Sequence, residues 1–182
     1  MVSLIPDPLE KRRLYADVET CGFWKGSSGI CEVAASVWYK GSEESSFSSL
    51  ANPGAGYLQS DRFSKAHAVH SIPGSAILES PPAEDVAASL LAFIKEHAEG
   101  ASLHSFNVQF DSRHLAARPW CVPLWWWSDC VMMKAREAMK LKKFPSLIDA
   151  ARFCGLEEAQ THRALADARL CAMVDHYLLR YA

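Results

Sequence analysis

The sequence has no long apolar run. Its most concentrated aromatic block, LWWW at Leu124 to Trp127, is far below the roughly 18 residues that mark a membrane span. It also lacks a CxxC pair. Its cysteines (Cys21, Cys31, Cys121, Cys130, Cys154 and Cys171) are scattered, whereas a tetrahedral zinc site needs closely spaced ligand pairs. Free buried thiols in a reducing compartment are therefore expected, not a disulfide framework. An excess of charge of either sign is missing too. Lys+Arg number 19 and Asp+Glu 21, a formal net charge of −2, so no basic field marks a passive binder of nucleic acid or of an anionic membrane. No HD dipeptide occurs, which removes phosphohydrolases built on adjacent His and Asp ligands. The opening MVSLIPDPLEKRR holds too short an apolar stretch for a secretory signal, and Pro6 and Pro8 interrupt it. A soluble, cytoplasmic protein that does not enter the membrane is expected.

What is present is an ordinary globular composition, 49% hydrophobic and 22% charged over 182 residues. A chain of that length buries about 70% of its unfolded surface as one domain, so residues 1–182 are expected to form a single unit. RRLYADVE reads as a first strand, GICEVAASVWYK (Gly29 to Lys40) as a second with Cys31, Val33, Ala35, Val37 and Tyr39 alternating onto one face, and SSFSSLAN as a third. Short Gly/Ser-rich links predict an antiparallel meander. A short helical piece follows around DRFSKAHAV. SPPAEDVAASLLAFIKEHAEG is then the clearest helix, with Ser80 as expected N-cap, Gly100 at its end, and Val86, Leu90, Leu91 and Ile94 as its buried stripe. ASLHSF predicts a short strand and NVQFDSRHLAAR a helix with Asn107 near its cap. RPWCVPLWWWSDC predicts a loop or irregular strand, and three helices complete the chain. Strands joined by crossover helices indicate an α/β domain, a mixed central β-sheet flanked by α-helices.

The first strand ends in paired acids, Asp17 and Glu19. Residues i and i+2 share a strand face, roughly 7 Å apart at about 3.3 Å per residue. Unscreened carboxylates at that separation repel, and burial raises the cost; a solvated strand end or a bound cation are the two ways out. In NVQFD, Asn107 and Asp111 share a face at the start of a helix that leaves the C-terminal edge of a strand, where open α/β sheets place ligands. In HRALAD, His162 and Asp167 would diverge by about 140° within one regular helix. They act together only if His162 lies just ahead of the helix and Asp167 inside it.

In this order, DVET, NVQFD and HRALAD resemble the three motifs of the DEDDh family of 3′→5′ exonucleases, and KAHAVHSI and SDCVMMKAR resemble the family's intervening segments. The resemblance covers the chain from about Tyr15 to Leu179 and, within the family, looks closest to the bacterial exonuclease X type. It implies the RNase H-like exonuclease fold, with a motif-bearing core over about 12–180. It also implies hydrolysis of phosphodiester bonds at 3′ ends with two divalent cations, Mg²⁺ or Mn²⁺. Oxygen-only ligation suits these hard ions. Asp17 would bridge both metals, Glu19 and Asp167 would hold the nucleophile-side metal, and Asp111 would support the second. His162 would be the general base, a role suited to a side chain whose free pKa is near 6.5. Thr20, Gly22, Phe23, His70 and Asn107 are the expected substrate contacts. Single-stranded DNA 3′ ends are the expected partner, with RNA as the alternative substrate and a non-catalytic binding module on the same fold as the third reading. A homodimer and a polymerase partner stay open. The tryptophan run and KLKKF (Lys140 to Phe144) stand outside the motif set, as candidate stacking and phosphate-steering patches or as ordinary core and solvated surface.

Overall fold

Strand β1 (Arg13–Thr20) occupies the middle of the molecule because one of its faces is apolar and the other carries Tyr15 and the two acids. It pairs antiparallel with β2 (Ile30–Tyr39), which pairs antiparallel with β3 (Ser42–Leu50), and it pairs in parallel with the short β4 (Ser102–His104). The sheet order is thus β3-β2-β1-β4, a mixed sheet. The computed structural model describes residues 8–22, 29–157 and 160–181. Around the sheet lie α1 (Asp61–His70), α2 (Gly74–Glu79), α3 (Ala83–His97), α4 (Val108–Ala116), α5 (Val131–Ala138), α6 (Leu147–Phe153) and α7 (Ala164–Tyr181).

Helices cover both faces. Leu14, Ala16 and Val18 of β1 pack with Val86, Leu90 and Ile94 of α3 and Leu115 of α4. On the opposite face Tyr15 packs with Val131 and Ala135 of α5, Ala150 and Ala151 of α6, and Leu170, Cys171 and Val174 of α7. A third cluster joins Cys21, Cys31, Ile72 and Ile77 beside the strand tips. Because β2 is central and covered on both sides, it is buried from Ile30 through Val37 and not on alternate residues only. The period-2 reading of that strand therefore identified one face and missed that the other is equally dry.

Local chemistry explains most element ends. Ser60 caps α1 by accepting from the Phe63 N–H, and α1 ends where Ser71 turns left-handed at φ +57° just before Ile72-Pro73. Ser146 caps α6 in the same manner. The expected cap of α3 is corrected: Pro82, extended, precedes the helix, and Ser80 instead donates its hydroxyl to the Ile77 carbonyl at 2.7 Å. That bond closes α2, a helix that the sequence pattern did not announce. The third strand begins at Ser42, earlier than its apolar residues suggest, because its ladder with β2 runs out to the Tyr39–Ser42 pair.

The LWWW block splits by face, as consecutive rings must. Trp127 runs beside β4, bridging to Leu103, and it and Trp126 pack on the α3-side core, while Trp125 is 81% exposed. Trp120, ahead of the block, is fully buried. Among the described residues no helix is long and apolar enough to cross a membrane.

Candidate active site

Three elements bring the motif residues to the C-terminal end of β1. Strand alternation places Asp17 and Glu19, both half-buried, on the face that carries Tyr15. Helix α4 starts directly after β4 with Asn107 as its entry residue, and Asp111 falls in its first turn, only 2% exposed. The Asn107 side chain makes no capping hydrogen bond. His162 lies just ahead of α7 in a left-handed conformation, φ +50°, and Asp167 sits in the first turn of α7, 4% exposed. Ligand atoms of Glu19, His162 and Asp167 all lie within 4.8 Å of one another.

The electrostatics follow from that crowding. Burial first, then the charges of Asp111, Glu19, Asp167 and Glu32, hold the Asp17 carboxyl well above the usual range. Burial pushes Glu19 up to about 8, with Asp167, Glu32 and Asp111 adding to it and Arg163 opposing. Asp111 is pushed up to about 7 by burial, against the nearby dipoles of the Ser105 hydroxyl and the Val18 N–H. Asp167 is raised by burial, partly offset by its hydrogen bond from Gln160 and by His162. Asp111 Oδ1 and Asp167 Oδ1 are buried without a hydrogen-bond partner. Buried carboxylate oxygens left unpartnered and facing other carboxylates are costly unless a cation joins them. The donors turned into the pocket are carboxylate oxygens, which suit Mg²⁺ or Mn²⁺, and the His162 imidazole stands beside them.

Beside the acids opens a cleft of about 450 Å³. Glu19, Thr20, Gly22 and His70 line one part, and Arg62, Lys65 and Val69 of α1 with Phe110 of α4 line the other. Gly22 makes this possible: at φ +108°, a Cβ there would sit 2.7 Å from Arg62 Cβ and 2.9 Å from the Arg62 carbonyl oxygen, so only glycine lets α1 lie this close. His70 is 3% exposed. Its Nδ1 accepts from the Ile72 N–H at 3.0 Å, which assigns the proton to Nε2, 3.9 Å from Cys31 Sγ. Burial and His67 lower its pKa, so it is a neutral, structurally tied wall of the cleft. Phe23 lies outside the described residues.

Sequence reasoning missed Arg62, Lys65 and Phe110, which carry no pattern of their own, and Glu32, Gln160 and Arg163. For Glu32 a signal existed: a single carboxylate inside the otherwise apolar run ICEVAASV. Neither the tryptophan run nor KLKKF lines the cleft. In KLKKF, Phe144 is exposed beneath the Arg136 guanidinium, 4.8 Å from its ring centre.

An α/β sheet with a buried acidic pocket and an imidazole at its strand tips defines a class of hydrolytic nucleases, and comparison places the chain within it. The chain belongs to the exonuclease family: the Exonuclease (RNase T) family model matches residues 14–174. The DEDDh resemblance drawn from the motifs is thereby borne out, and so is the enzyme class. Among solved structures it is similar to exonuclease X in complex with 5′-overhanging duplex DNA (24% identity, 94% of this chain and 92% of that one, TM-score 0.67). It is also similar to the nuclease domain of 3′hExo, a DEDDh family member bound to rAMP (15% identity, 96% and 94%, TM-score 0.70). A third is a 3′-exonuclease that recognises the histone mRNA stem-loop (15% identity, TM-score 0.74), where 96% of this chain spans 65% of that one. These identities speak to the fold. No curated protein matches the chain.

Proposed function

We propose that this protein is a metal-dependent 3′→5′ exonuclease that releases nucleoside 5′-monophosphates from single-stranded DNA ends or from duplex ends that fray. The observation that carries the reading is the union of buried, unpartnered carboxylate oxygens on Asp111 and Asp167 with a cleft whose far wall is cationic, Arg62 and Lys65. One half suits hard cations, and the other suits an anionic backbone.

Asp17, Glu19, Asp111 and Asp167 would hold the cations. Two divalent ions, when bound, neutralise four carboxylates and supply an activated water and support for the departing 3′ oxygen. The chain's own residues do the rest. His162 takes a proton from the attacking water at an imidazole nitrogen. Its position before α7, beside Glu19 and Asp167, suits that transfer. Lys65 and Arg62 hold the phosphate backbone, Thr20, Gly22 and Asn107 lie at the terminal nucleotide, and Val69 and Phe110 offer apolar surface for its base, where stacking contributes about 1–3 kcal/mol. Phe23 is proposed to stack with the last bases.

The DNA assignment has support from the likeness to exonuclease X with its 5′-overhanging duplex. The RNA reading has its own support in the neighbours bound to rAMP and to a histone mRNA stem-loop. Digestion of 3′-labelled single-stranded DNA, duplex DNA and RNA with Mg²⁺ decides between them, and RNA degraded alone would overturn the DNA assignment. Asp17→Ala and His162→Ala are expected to abolish nucleotide release with the fold intact. Activity that persists in EDTA would rule out the metal chemistry.

A further inference from the structure

Glu32 is a fifth carboxylate beside the four motif acids, and the proposed chemistry does not use it. It is 3% exposed and stands directly across the β1–β2 ladder from Glu19. A carboxylate buried among other carboxylates needs full compensation to persist. Here it is complete. Arg163 Nε donates to both Glu32 oxygens at 3.1 Å, Arg163 Nη2 donates to Oε1 at 2.6 Å, and the Ala164 backbone N–H donates to Oε2 at 2.9 Å. With both oxygens so committed, Glu32 is not placed to be a metal ligand.

The donors are informative because of where they lie. Arg163 directly follows His162, and Ala164 is the first residue of α7, whose N–H has no carbonyl within the helix to bond. The Arg163 carbonyl accepts from the Asp167 N–H at 3.0 Å, closing the turn that carries Asp167. On the other flank, Gln160 Nε2 donates to Asp167 Oδ2 at 2.9 Å, leaving Oδ1 free. His162 between them has φ +50°, a conformation that costs a non-glycine residue about 1–2 kcal/mol and persists where neighbours over-determine it.

We infer that Glu32 is a positioning residue: through Arg163 and the first N–H of α7 it braces the segment that carries His162 and Asp167 against the strand that carries Glu19. The strand register puts Glu19 and Glu32 side by side, so the brace sets imidazole and carboxylates in one frame. Without it, Arg163 loses its hydrogen-bonded partner and His162 loses the support for its backbone.

The kinetic arm of the test rests on the exonuclease reading, and the exchange arm does not. In metal-free Glu32→Ala, amide hydrogen exchange over residues 164–167 is expected to accelerate about tenfold or more while β1 and β2 exchange as in wild type. With Mg²⁺ and a single-stranded oligonucleotide, kcat is expected to fall about tenfold or more with KM within about threefold, and Glu32→Gln, which keeps an acceptor for the Ala164 N–H, recovers part of the loss. Glu32→Ala/Arg163→Ala loses no more than Glu32→Ala alone, as one unit should. Unchanged exchange at 164–167 overturns the brace, and faster exchange with wild-type kcat overturns its positioning role. Where Glu32→Ala does not fold, the isosteric Glu32→Gln is judged by the same readouts. If wild type releases no nucleotide, the exonuclease reading fails and the exchange data alone decide the brace.

Discussion

A carboxyl group whose pKa is raised on folding carries a proton that the unfolded chain has already released, and that sets the sign of its linkage. Glu19 is held up at about 8 and Asp111 at about 7, so the metal-free fold binds more protons than the unfolded chain up to those values. Its stability therefore falls as pH rises. His104 and His176 act oppositely: burial lowers each to about 4, so acidification below their free pKa costs stability. From about pH 6.5 to 8 these histidines are neutral in the fold and lose their remaining charge in the unfolded chain, a smaller opposing contribution than that of the acids, which dominate. Metal-free protein should melt at a lower temperature at pH 8 than at pH 6.5. Mg²⁺ or Mn²⁺ should raise the melting temperature more at pH 8, as scanning calorimetry would read. A melting temperature that is flat or rises over this window without metal would contradict the repulsive site. Of the residues at the site, the five motif positions were legible only through their resemblance to the family's motifs. Glu32 carried only the hint of a single acid in an apolar run, and its role stays hidden until its partner, 131 residues along, is known.

At the scale of elements, α7 is held to the sheet by more than its apolar stripe. Asp175 is fully buried and accepts from Tyr15 Oη at 2.8 Å, Lys134 Nζ at 2.8 Å and Arg13 Nη1 at 3.4 Å, joining α7 to β1 and α5. Burial pushes its pKa up, but Lys134 and the hydrogen bonds from Lys134 and Tyr15 outweigh it, and the net shift is downward. Asp175→Ala strands Lys134 and Arg13 partly buried without their anion and should cost about 3–5 kcal/mol, measured by urea unfolding. Loss of less than about 0.5 kcal/mol would show the network to be dispensable. Helix α7 itself was readable from its apolar repeat, and the β1–β3 meander from alternation and turn residues. The network was not, since Asp175 stands in the register of the buried stripe between Cys171 and Leu178 and the sequence names none of its cationic partners. Nor was α2, which is too short to show a period.

For the whole molecule, a net charge of −2 and an acidic pocket offer a polyanion no welcome at long range. Attraction must come from local cations and bound metal, and Lys65 stands at the cleft beside Glu19. Lys65→Ala should raise KM for single-stranded substrate severalfold with a smaller effect on kcat. It should also flatten the dependence of log KM on log salt by about one phosphate's worth of counterion release. An unaltered salt slope would remove Lys65 from the backbone contact. Mixed fold and acid cluster were both within reach of the sequence, but the cationic wall was not, because α1 reaches the site only through its close approach to Gly22.

The acids of the pocket enter the chain at its first strand, in the middle at α4, and at its last helix. During synthesis, then, a ribosome-bound chain holds Asp17 and Glu19 long before Asp167 emerges. The contacts that assemble the pocket are of the slow, long-range kind. Until α7 docks, Asp17 and Glu19 on β1 stand without His162 and Asp167 beside them. Under the exonuclease reading, a chain in which α7 has not docked lacks the His162 imidazole and the Asp167 carboxylate and should release no nucleotide.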